Sequence, residues 1–316
     1  MKIVILDAGT LGEDVSLSPF RELGDVTVYP TTTAEDVAAR IATCDVVVQN
    51  KVKITAAAIA AAPHLRLVCE AATGYDNIDL TAARAHGVAV TNVPGYSTPS
   101  VVQVTVATVL SLATHLPAYT EHVRSGAYTA GGAANCLTPV YHELAGLTWG
   151  IVGYGNIGRG VGAVAQALGC RVLFTRAHPT DEAGCVPLEE LCRRADIITL
   201  HTPLSDATRG LIGAREIALM KPGVILVNEA RGAVTDEAAV ADALTAGRLG
   251  AFGADVYSAE PFGEDHPFYA IRQRENVCLT PHMAWGSVEA RTRCVAAIAE
   301  NIEAFLRGEE KNRVEL

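Results

Sequence analysis

The chain has 316 residues, of which 49% are hydrophobic, so it is long enough to bury two moderate cores, and its length favours two domains. Its formal net charge of -10, with no Lys/Arg run longer than a pair, argues against a nucleic-acid surface or a polybasic membrane anchor. The eight cysteines form no CxxC pair and no Cys/His metal spacing, so we expect reduced thiols and no bound metal. The N-terminus has too short an apolar run for a signal peptide, and the most apolar stretch, residues 101–113, is too short to span a bilayer. We therefore expect a cytoplasmic protein.

The first ninety or so residues alternate apolar strands with alanine-rich helical segments. Strands are predicted at KIVILD, DVTVYP, DVVVQN, LRLVCEA and VAVTNV, residues 2–7, 25–30, 45–50, 65–71 and 88–93. Helical segments such as 33–42 and 55–63 separate them. Near-continuous apolar strands that alternate with helices indicate a parallel sheet covered on both faces.

A long helix marks the predicted crossing into the second domain. Thr98 is a suitable cap and Pro99 suits a first helical turn, so this helix is predicted to run to about His115. After an irregular, glycine-rich segment at 124–146 come six strand candidates: TWGIVG, CRVLFT, DIITLHT, VILVNEA, GAFGADV and NVCLTPH. Six parallel strands make a doubly wound dinucleotide-binding domain. The last helix, from about Gly286 to Gly308, is expected to pack on the first domain.

A glycine motif lies where dinucleotide binding requires it. Gly153, Gly155 and Gly158 have the GxGxxG spacing, directly after a strand and at the start of a helix that ends at Gly169. The first glycine permits a tight turn, the second lets a pyrophosphate approach the backbone, and the third lets helix and strand pack closely. The alternative is a strand-turn-helix with packing glycines only. The βαβ setting and five further strands favour a cofactor site.

Four polar residues follow strands of the second predicted sheet: His201, Arg231, Asp255 and His282. Since ligands of open parallel sheets bind beyond the carboxyl ends of the strands, these residues describe one crevice. Three of them have an alternative interpretation. His201 could bond a neighbouring loop, Arg231 could pair with a nearby acid such as Glu229, and His282 could be a satisfied buried histidine.

Reduction of a 2-keto acid needs a cation for the carboxylate, an acid for the keto oxygen, and a carboxylate that keeps this acid protonated near neutral pH. Arg231, His282 and the loop residue Glu260 are of these types. Arginine binds a carboxylate bidentately, which also fixes the face that the keto acid presents. We interpret the three residues as a candidate catalytic set.

Arg176, in VLFTRAHP at 172–179, lies 18 residues after Gly158, at the end of the second strand of the βαβ unit. An acidic side chain normally accepts hydrogen bonds from the adenine ribose there. An arginine pairs instead with a 2′-phosphate, with Thr175 and His178 as further donors, and the acid that would repel this phosphate is taken to be absent. The sequence therefore favours NADP(H). NAD(H) is the alternative, with Arg176 stacked on the adenine or pointing to solvent.

The series ATGYDNID, NVPGYST, GIVGYGNIG, LHTPLSDATRGLI, VNEARGAVTDEAAV, GADVYSAEP and TPHMAWGSVEAR resembles the D-isomer-specific 2-hydroxyacid dehydrogenases from end to end. VVQNKVKIT, NVPGYST and HMAWGS make it most similar to the glycerate dehydrogenase, or hydroxypyruvate reductase, branch. The resemblance places the catalytic arginine, glutamate and histidine on Arg231, Glu260 and His282. It implies an α/β fold with two doubly wound parallel-sheet domains. A flavodoxin-like substrate domain would span 1–98 plus 286–316, and a Rossmann dinucleotide-binding domain, 99–285, would form homodimers.

The resemblance also implies binding residues. Backbone N–H groups of Thr73 and Gly74 would receive the substrate carboxylate, with Asn50 and Lys51 near the mouth of the cleft and Trp285 as a wall of the substrate pocket. The alternative interpretations are that Thr73 and Gly74 only form a turn, and that Asn50 and Lys51 are solvated surface residues. Trp285 could likewise be an exposed packing residue. Besides the three glycines and Arg176, the implied cofactor-binding residues are Thr105, Asn156, Ile157, His201, Thr202, Pro203, Thr208, Glu229, Ala230, Arg231, Asp255 and His282.

The expected reaction is reduction of hydroxypyruvate, with glyoxylate as a further substrate, to the D-2-hydroxy acid. One alternative is a dehydrogenase for another small D-2-hydroxy acid, such as D-lactate. A second is a nucleotide-sensing binding protein or corepressor built on the same fold. The intact set of Arg231, Glu260 and His282 favours an enzyme.

Overall fold

The computed structural model describes residues 1–178 and 180–316, and in it the chain divides into two compact units. Unit 1 comprises Met1–Ser97 with Trp285–Leu316, and unit 2 comprises Thr98–Ala284. Each boundary lies one residue before its predicted position. Thr98 is the first residue of its helix and not the cap, and Ala284 is tied into unit 2 because its carbonyl accepts from Ser100 Oγ at 2.6 Å.

Unit 1 is built on a five-stranded parallel sheet in the order β2-β1-β3-β4-β5, the flavodoxin-like arrangement. All five predicted strands are present: β1 Lys2–Ile5, β2 Asp25–Val28, β3 Val46–Gln49, β4 Leu67–Glu70 and β5 Ala89–Thr91. A 3-10 turn at Ala8–Thr10 and four helices connect them: α1 Ser18–Arg21, α2 Val37–Ile41, α3 Ala56–Ala60 and α4 Leu80–Ala85.

Unit 2 contains a six-stranded parallel sheet in the order β11-β10-β9-β8-β6-β7. All six predicted strands are present: β6 Thr148–Val152, β7 Arg171–Thr175, β8 Ile197–Leu200, β9 Val224–Asn228, β10 Leu249–Ala254 and β11 Val277–Leu279. Beyond β7, Cys185 forms one parallel bridge with Phe174. The bridge at Cys185 can be counted as a very short strand that follows β7 in the chain. If the strands of unit 2 are then numbered from β6 as strand 1, their order from the Cys185 edge is 3-2-1-4-5-6-7, which is the Rossmann order 3-2-1-4-5-6 with β11 added.

The predicted crossing helix is confirmed as α5, and it ends at Thr114. Among the described residues no single helix is long and apolar enough to cross a membrane, although α5 and the next helix, bent by 66°, reach that length and composition together. The helices of unit 2 are α5 Thr98–Thr114, α6 Leu116–Arg124, α7 Ala127–Gly131, α8 Asn156–Ala167, α9 Leu188–Arg194, α10 Ala214–Leu219, α11 Glu237–Thr245 and α12 Pro267–Ile271, with a 3-10 turn at Gly232–Val234.

The last helix, α13 Val288–Leu306, belongs to unit 1 and begins after Ser287, whose hydroxyl accepts from Ala290 N at 3.2 Å. It covers one face of the unit 1 sheet, where Ile298 packs in the same apolar cluster as Val48. The neighbouring strand residue Val47 packs in the cluster on the other face, because successive strand side chains point to opposite sides. The carboxyl ends of the strands remain as the edge from which polar side chains extend.

Candidate active site

The glycine loop joins β6 to α8. Gly153 has φ +92°, and a Cβ there would lie 2.7 Å from the carbonyl carbon of His201, so the loop packs directly against the end of β8. A Cβ on Gly158 would lie 2.3 Å from the carbonyl oxygen of Gly153, which explains why helix and strand pack closely. Gly155 has no atom within 4 Å of its Cβ position. This open space before the first N–H groups of α8 is what a pyrophosphate requires, so the loop fits a dinucleotide.

His201 follows β8 and is held uncharged. Burial lowers the pKa of its imidazole from 6.5 to about 3. Neither ring nitrogen has a hydrogen-bond partner among the described residues, and both are shielded from solvent. The loop after His201 is organised by Thr208, whose hydroxyl donates to the carbonyl of Pro203 at 2.7 Å and accepts from Ser205 N at 2.7 Å.

The turn after β9 presents Arg231. The amide side chain of Asn228 spans this turn, since its oxygen accepts from Ala230 N at 3.1 Å and its nitrogen donates to the carbonyl of Arg231 at 2.9 Å. The next residue, Gly232, is packed against the loop after β10, where a Cβ would lie 1.9 Å from the carbonyl carbon of Tyr257. Only a glycine allows this approach, and it places Arg231 beside the loop that carries Glu260.

His282 and Glu260 are in hydrogen-bond contact between two loops at the same sheet edge. Nδ1 of His282 lies 2.6 Å from Oε2 of Glu260, and the side chains are 21% and 32% exposed. The other carboxylate oxygen of Glu260 accepts from Tyr257 N at 3.0 Å, which fixes the carboxylate plane. His282 has φ +52°, a left-handed conformation that turns the chain after β11. The ring nitrogen that faces away from Glu260 is Nε2.

Asp255 anchors the turn that carries His282. Its buried carboxylate accepts from Met283 N at 2.8 Å, from Ala284 N at 2.7 Å and from the hydroxyl of Thr280 at 2.6 Å. These bonds join the end of β10 to residues on both sides of His282. Asp255 therefore fixes where the imidazole lies, a contact that its strand-end position alone did not predict.

Beside Asp255 lies a second buried acid, Glu229. Burial, reinforced by the charge of Asp255, raises the pKa of Glu229 from 4.5 to about 8. Its Oε1 lies 3.5 Å from the hydroxyl of Thr108 in α5, and its Oε2 has no partner among the described residues. The hydroxyl of Thr105, one turn earlier in α5, donates to the carbonyl of Val101 at 2.7 Å.

The surroundings of Arg176 differ from the prediction that no acid lies nearby. Nη2 of Arg176 lies 3.3 Å from Oε2 of Glu182, and Glu182 also forms two 3.0 Å hydrogen bonds with Arg159 of α8. Glu182 lies near Arg176 because the following residues run beside the edge of β7, where Phe174 N donates to Gly184 O at 2.8 Å. A loop thus supplies the carboxylate that the strand end lacks.

The predicted substrate residues of unit 1 lie at the carboxyl edge of its own sheet. Asp7, after β1, accepts from the backbone of Asn50 at 3.0 Å and of Lys51 at 2.7 Å. The hydroxyl of Thr73 donates to the carbonyl of Val93 at 3.0 Å, which orders the turn before the half-buried Gly74. These bonds hold the turns after β3 and β4 in place.

Trp285 is the first residue of the C-terminal part of unit 1. It is partly buried and packs against the apolar cluster that α13 shares with the sheet. In the residues 1–178 and 180–316, no three His, Cys, Asp or Glu side chains gather in an arrangement suited to a metal ion.

Known proteins resemble this chain in sequence and in fold. The family model described as D-isomer specific 2-hydroxyacid dehydrogenase, NAD binding domain, matches residues 106–284. The hydroxypyruvate reductase of Blautia hydrogenotrophica is 36% identical, over 99% of this chain and 99% of its own. The chain belongs to the D-isomer specific 2-hydroxyacid dehydrogenase family.

Further relatives support this family assignment. The glycerate dehydrogenase of Methylorubrum extorquens is 35% identical, again over 99% of both chains. The crystal structure of D-lactate dehydrogenase from Aquifex aeolicus, complexed with NAD and lactic acid, superposes with a TM-score of 0.87 at 27% identity, over 100% of this chain and 99% of the other. The protein is therefore an NAD(P)-dependent oxidoreductase that acts on the CH–OH group of small 2-hydroxy acids, and the interpretation as a non-catalytic binding protein is set aside.

Sequence reasoning missed several residues that the structure brings to these edges. Arg159 directly follows the last glycine of the motif, which is the one local signal for it. Glu182 and Asp7 have no such signal, because their roles depend on which loops meet. A second His–Glu pair, which unlike the first is buried, also escaped prediction; it joins His266 Nε2 to Glu237 Oε2 at 2.9 Å.

Proposed function

We propose that this dehydrogenase reduces hydroxypyruvate to D-glycerate with NADPH, using Arg231, Glu260 and His282 as its catalytic residues. The observation that carries the proposal is the 2.6 Å contact between His282 and Glu260 at the strand edge next to Arg231. A histidine that is oriented by a carboxylate and lies beside an arginine suits reduction of a keto acid.

Arg231 binds the carboxylate of the keto acid. Its guanidinium donates to the carbonyl of Ala230 at 2.9 Å, and the Asn228 bonds hold the backbone from which it extends. A bidentate contact orients the substrate and draws electron density from the neighbouring keto group. The reduced nicotinamide supplies the hydride when the cofactor is bound.

His282 protonates the keto oxygen. Its Nδ1–H is directed at Glu260, which fixes the ring orientation and leaves the proton on Nε2 as the one to transfer. The carboxylate stabilises the positive charge of the ring when it is protonated. In the oxidation direction the same nitrogen accepts the proton from the hydroxy acid.

Hydroxypyruvate is favoured over other small keto acids by the names of two relatives that match the whole chain. We also assign substrate contacts in unit 1 to Asn50, Lys51, Thr73 and Gly74, whose turns are ordered by side-chain bonds, with Trp285 as a further wall. Polar groups of this kind suit a hydroxymethyl substituent better than a methyl group.

The test is a set of initial rates with hydroxypyruvate, glyoxylate and pyruvate, each with NADPH and with NADH, followed by chiral analysis of the product. We expect the highest kcat/KM with hydroxypyruvate and D-glycerate as the product. If pyruvate is preferred by tenfold or more, about 1.4 kcal/mol of transition-state free energy, the substrate assignment is wrong and a D-lactate-type enzyme replaces it.

NADPH preference rests on Arg176, with Arg159 as a second cation close by. Arg176→Ala is expected to raise the KM for NADPH more than the KM for NADH, since only NADPH carries the 2′-phosphate. Equal or better use of NADH by the unaltered enzyme, at fixed ionic strength, would refute this preference.

We also propose a cytosolic homodimer that associates through unit 2. The eight cysteines are free thiols, which suits a reducing compartment. Large apolar side chains are exposed on α6 and in the segment before β6, among them Leu116 at 60%, Leu137 at 74% and Val140 at 69%. A second copy of this surface would cover them. Light scattering coupled to size exclusion should give the dimer mass, and a monomer at assay concentration would contradict the proposal.

A further inference from the structure

Two arginines share one glutamate at the end of β7. Arg159 donates to both carboxylate oxygens of Glu182 at 3.0 Å, and Arg176 Nη2 lies 3.3 Å from one of them. The three side chains are between 26% and 50% exposed, so the cluster is open to a ligand from solvent. With two cations and one anion, it carries a net charge of +1.

The cluster lies against the glycine loop. Nη2 of Arg176 also donates to the carbonyl of Tyr154 at 3.0 Å, and Tyr154 stands between Gly153 and Gly155. The ring of Tyr154 stacks on Phe174 with centroids 3.8 Å apart, and the guanidinium carbons of Arg159 and Arg176 lie 4.9 and 5.5 Å from the Tyr154 centroid. The aromatic pair therefore holds both guanidinium groups beside the loop that fits a pyrophosphate.

Arg176 has unused bonding capacity in this arrangement. Its Nε is shielded from solvent and has no hydrogen-bond partner among the described residues. A buried donor without a partner is unfavourable, and an oxygen-rich anion at this place would satisfy it. Glu182 supplies only one carboxylate to two guanidinium groups, whereas a phosphate has enough oxygens for both.

We propose that Glu182 determines the choice between the two nicotinamide dinucleotides, because its carboxylate competes with the 2′-phosphate for Arg159 and Arg176. The inference rests on the proposed function in one respect, that the adenine ribose lies at the end of β7 as in other Rossmann domains. With the phosphorylated cofactor, Glu182 releases the arginines. With NAD(H), Glu182 remains paired with Arg159 and Arg176 and is the nearby acceptor for the ribose hydroxyls.

This competition has a consequence that does not depend on which cofactor the unaltered enzyme prefers. Loss of the Glu182 charge removes the competitor of the phosphate and also the acceptor for the ribose. Glu182→Gln should therefore move the preference toward the phosphorylated cofactor in either case. The expected rise in the ratio of Kd for NAD+ to Kd for NADP+ is about 5- to 10-fold, which corresponds to about 1 to 1.4 kcal/mol.

The experiment is calorimetric titration of the apoenzyme with NADP+ and NAD+, and with adenosine 2′,5′-bisphosphate and adenosine 5′-monophosphate. The last two ligands isolate the 2′-phosphate and need neither keto acid nor turnover. Glu190→Gln is the matched control, since Glu190 pairs with Arg194 on α9 and its loss changes the net charge equally. Glu182→Ala is the second variant, and it should move the ratio in the same direction.

Arg159→Ala tests the sharing of the counterion. The substitution should raise the Kd for adenosine 2′,5′-bisphosphate about 5-fold or more, because one charge-assisted contact to the 2′-phosphate is lost. The Kd for adenosine 5′-monophosphate should change less than about 2-fold. A Glu182→Gln ratio within twofold of the unaltered enzyme, or an equal shift in Glu190→Gln, would overturn the proposal. Failure to reduce hydroxypyruvate would leave these binding results untouched, so the two proposals fail separately.

Discussion

Gly232→Ala tests the contact that brings the arginine turn to the glutamate loop. A Cβ at position 232 would lie 1.9 Å from the carbonyl carbon of Tyr257 and 2.1 Å from the amide nitrogen of Ser258. Both are backbone atoms, so no side-chain rotation relieves the overlap. Atoms in ordinary contact are about 3.5 Å apart, so the two loops must separate by roughly 1.5 Å.

This separation should impair catalysis while the protein remains folded. Overpacking of a close contact typically costs about 1–3 kcal/mol of unfolding free energy. A misplacement of about 1 Å between reacting groups lowers rates by on the order of 100-fold. We therefore expect a folded Gly232→Ala protein whose kcat/KM with its best keto acid is reduced about 100-fold or more, since Arg231 moves relative to Glu260 and its partner His282.

The measurements are steady-state rates and urea denaturation of the variant beside Gly131→Ala. Gly131, in α7, has no atom within 4 Å of its Cβ position, so an alanine there meets no obstruction. That control should match the unaltered enzyme in both assays. Gly232→Ala with kcat/KM within twofold of the unaltered enzyme would show that the contact does not position Arg231, and the reasoning would be wrong.

Three further changes probe charge and protonation. In Glu260→Gln, the rate of reduction should begin to fall at a lower pH than in the unaltered enzyme, because a neutral amide no longer favours the imidazolium form of His282. An unchanged pH–rate profile would remove Glu260 from its role. His282→Ala should lower turnover about 10²–10⁴-fold while calorimetry shows cofactor binding retained; loss of binding would mean that the residue is structural. Burial raises the pKa of Glu229 from 4.5 to about 8, so the folded state holds this proton more tightly and stability is lost as pH rises between those values. The lowered pKa of His201 has the opposite effect on stability, but only below its ordinary pKa of 6.5, so the window to use is pH 6.5 to 8. Over this window the Tm of Glu229→Gln should fall less than the Tm of the unaltered enzyme. Parallel Tm curves for the two proteins would contradict this.

Much of the fold follows from local sequence patterns. Ten of the eleven described strands lie within a predicted segment, and β10 begins one residue before its segment, at Leu249. An apolar run bounded by turn residues is a local signal that parallel sheets reproduce. The glycine motif is local in its turn at Gly153 and in the packing of Gly158 on Gly153, whereas the approach of Gly153 to His201 joins distant residues. The strand-end positions of Arg231 and His282 follow as well, because the carboxyl ends of parallel strands share one edge.

Tertiary structure decided what lies next to these residues. The sequence shows an arginine in place of an acid at position 176, yet the folded chain returns Glu182 to within 3.3 Å of it. Asp255 bonds the backbone at 283 and 284, and Gly232 packs on Tyr257, across gaps of more than twenty residues. No periodicity or spacing encodes such contacts, because they depend on which loops meet after the strands have paired. The surroundings of Arg176 and of His282 are set there, by neighbours that are distant along the chain.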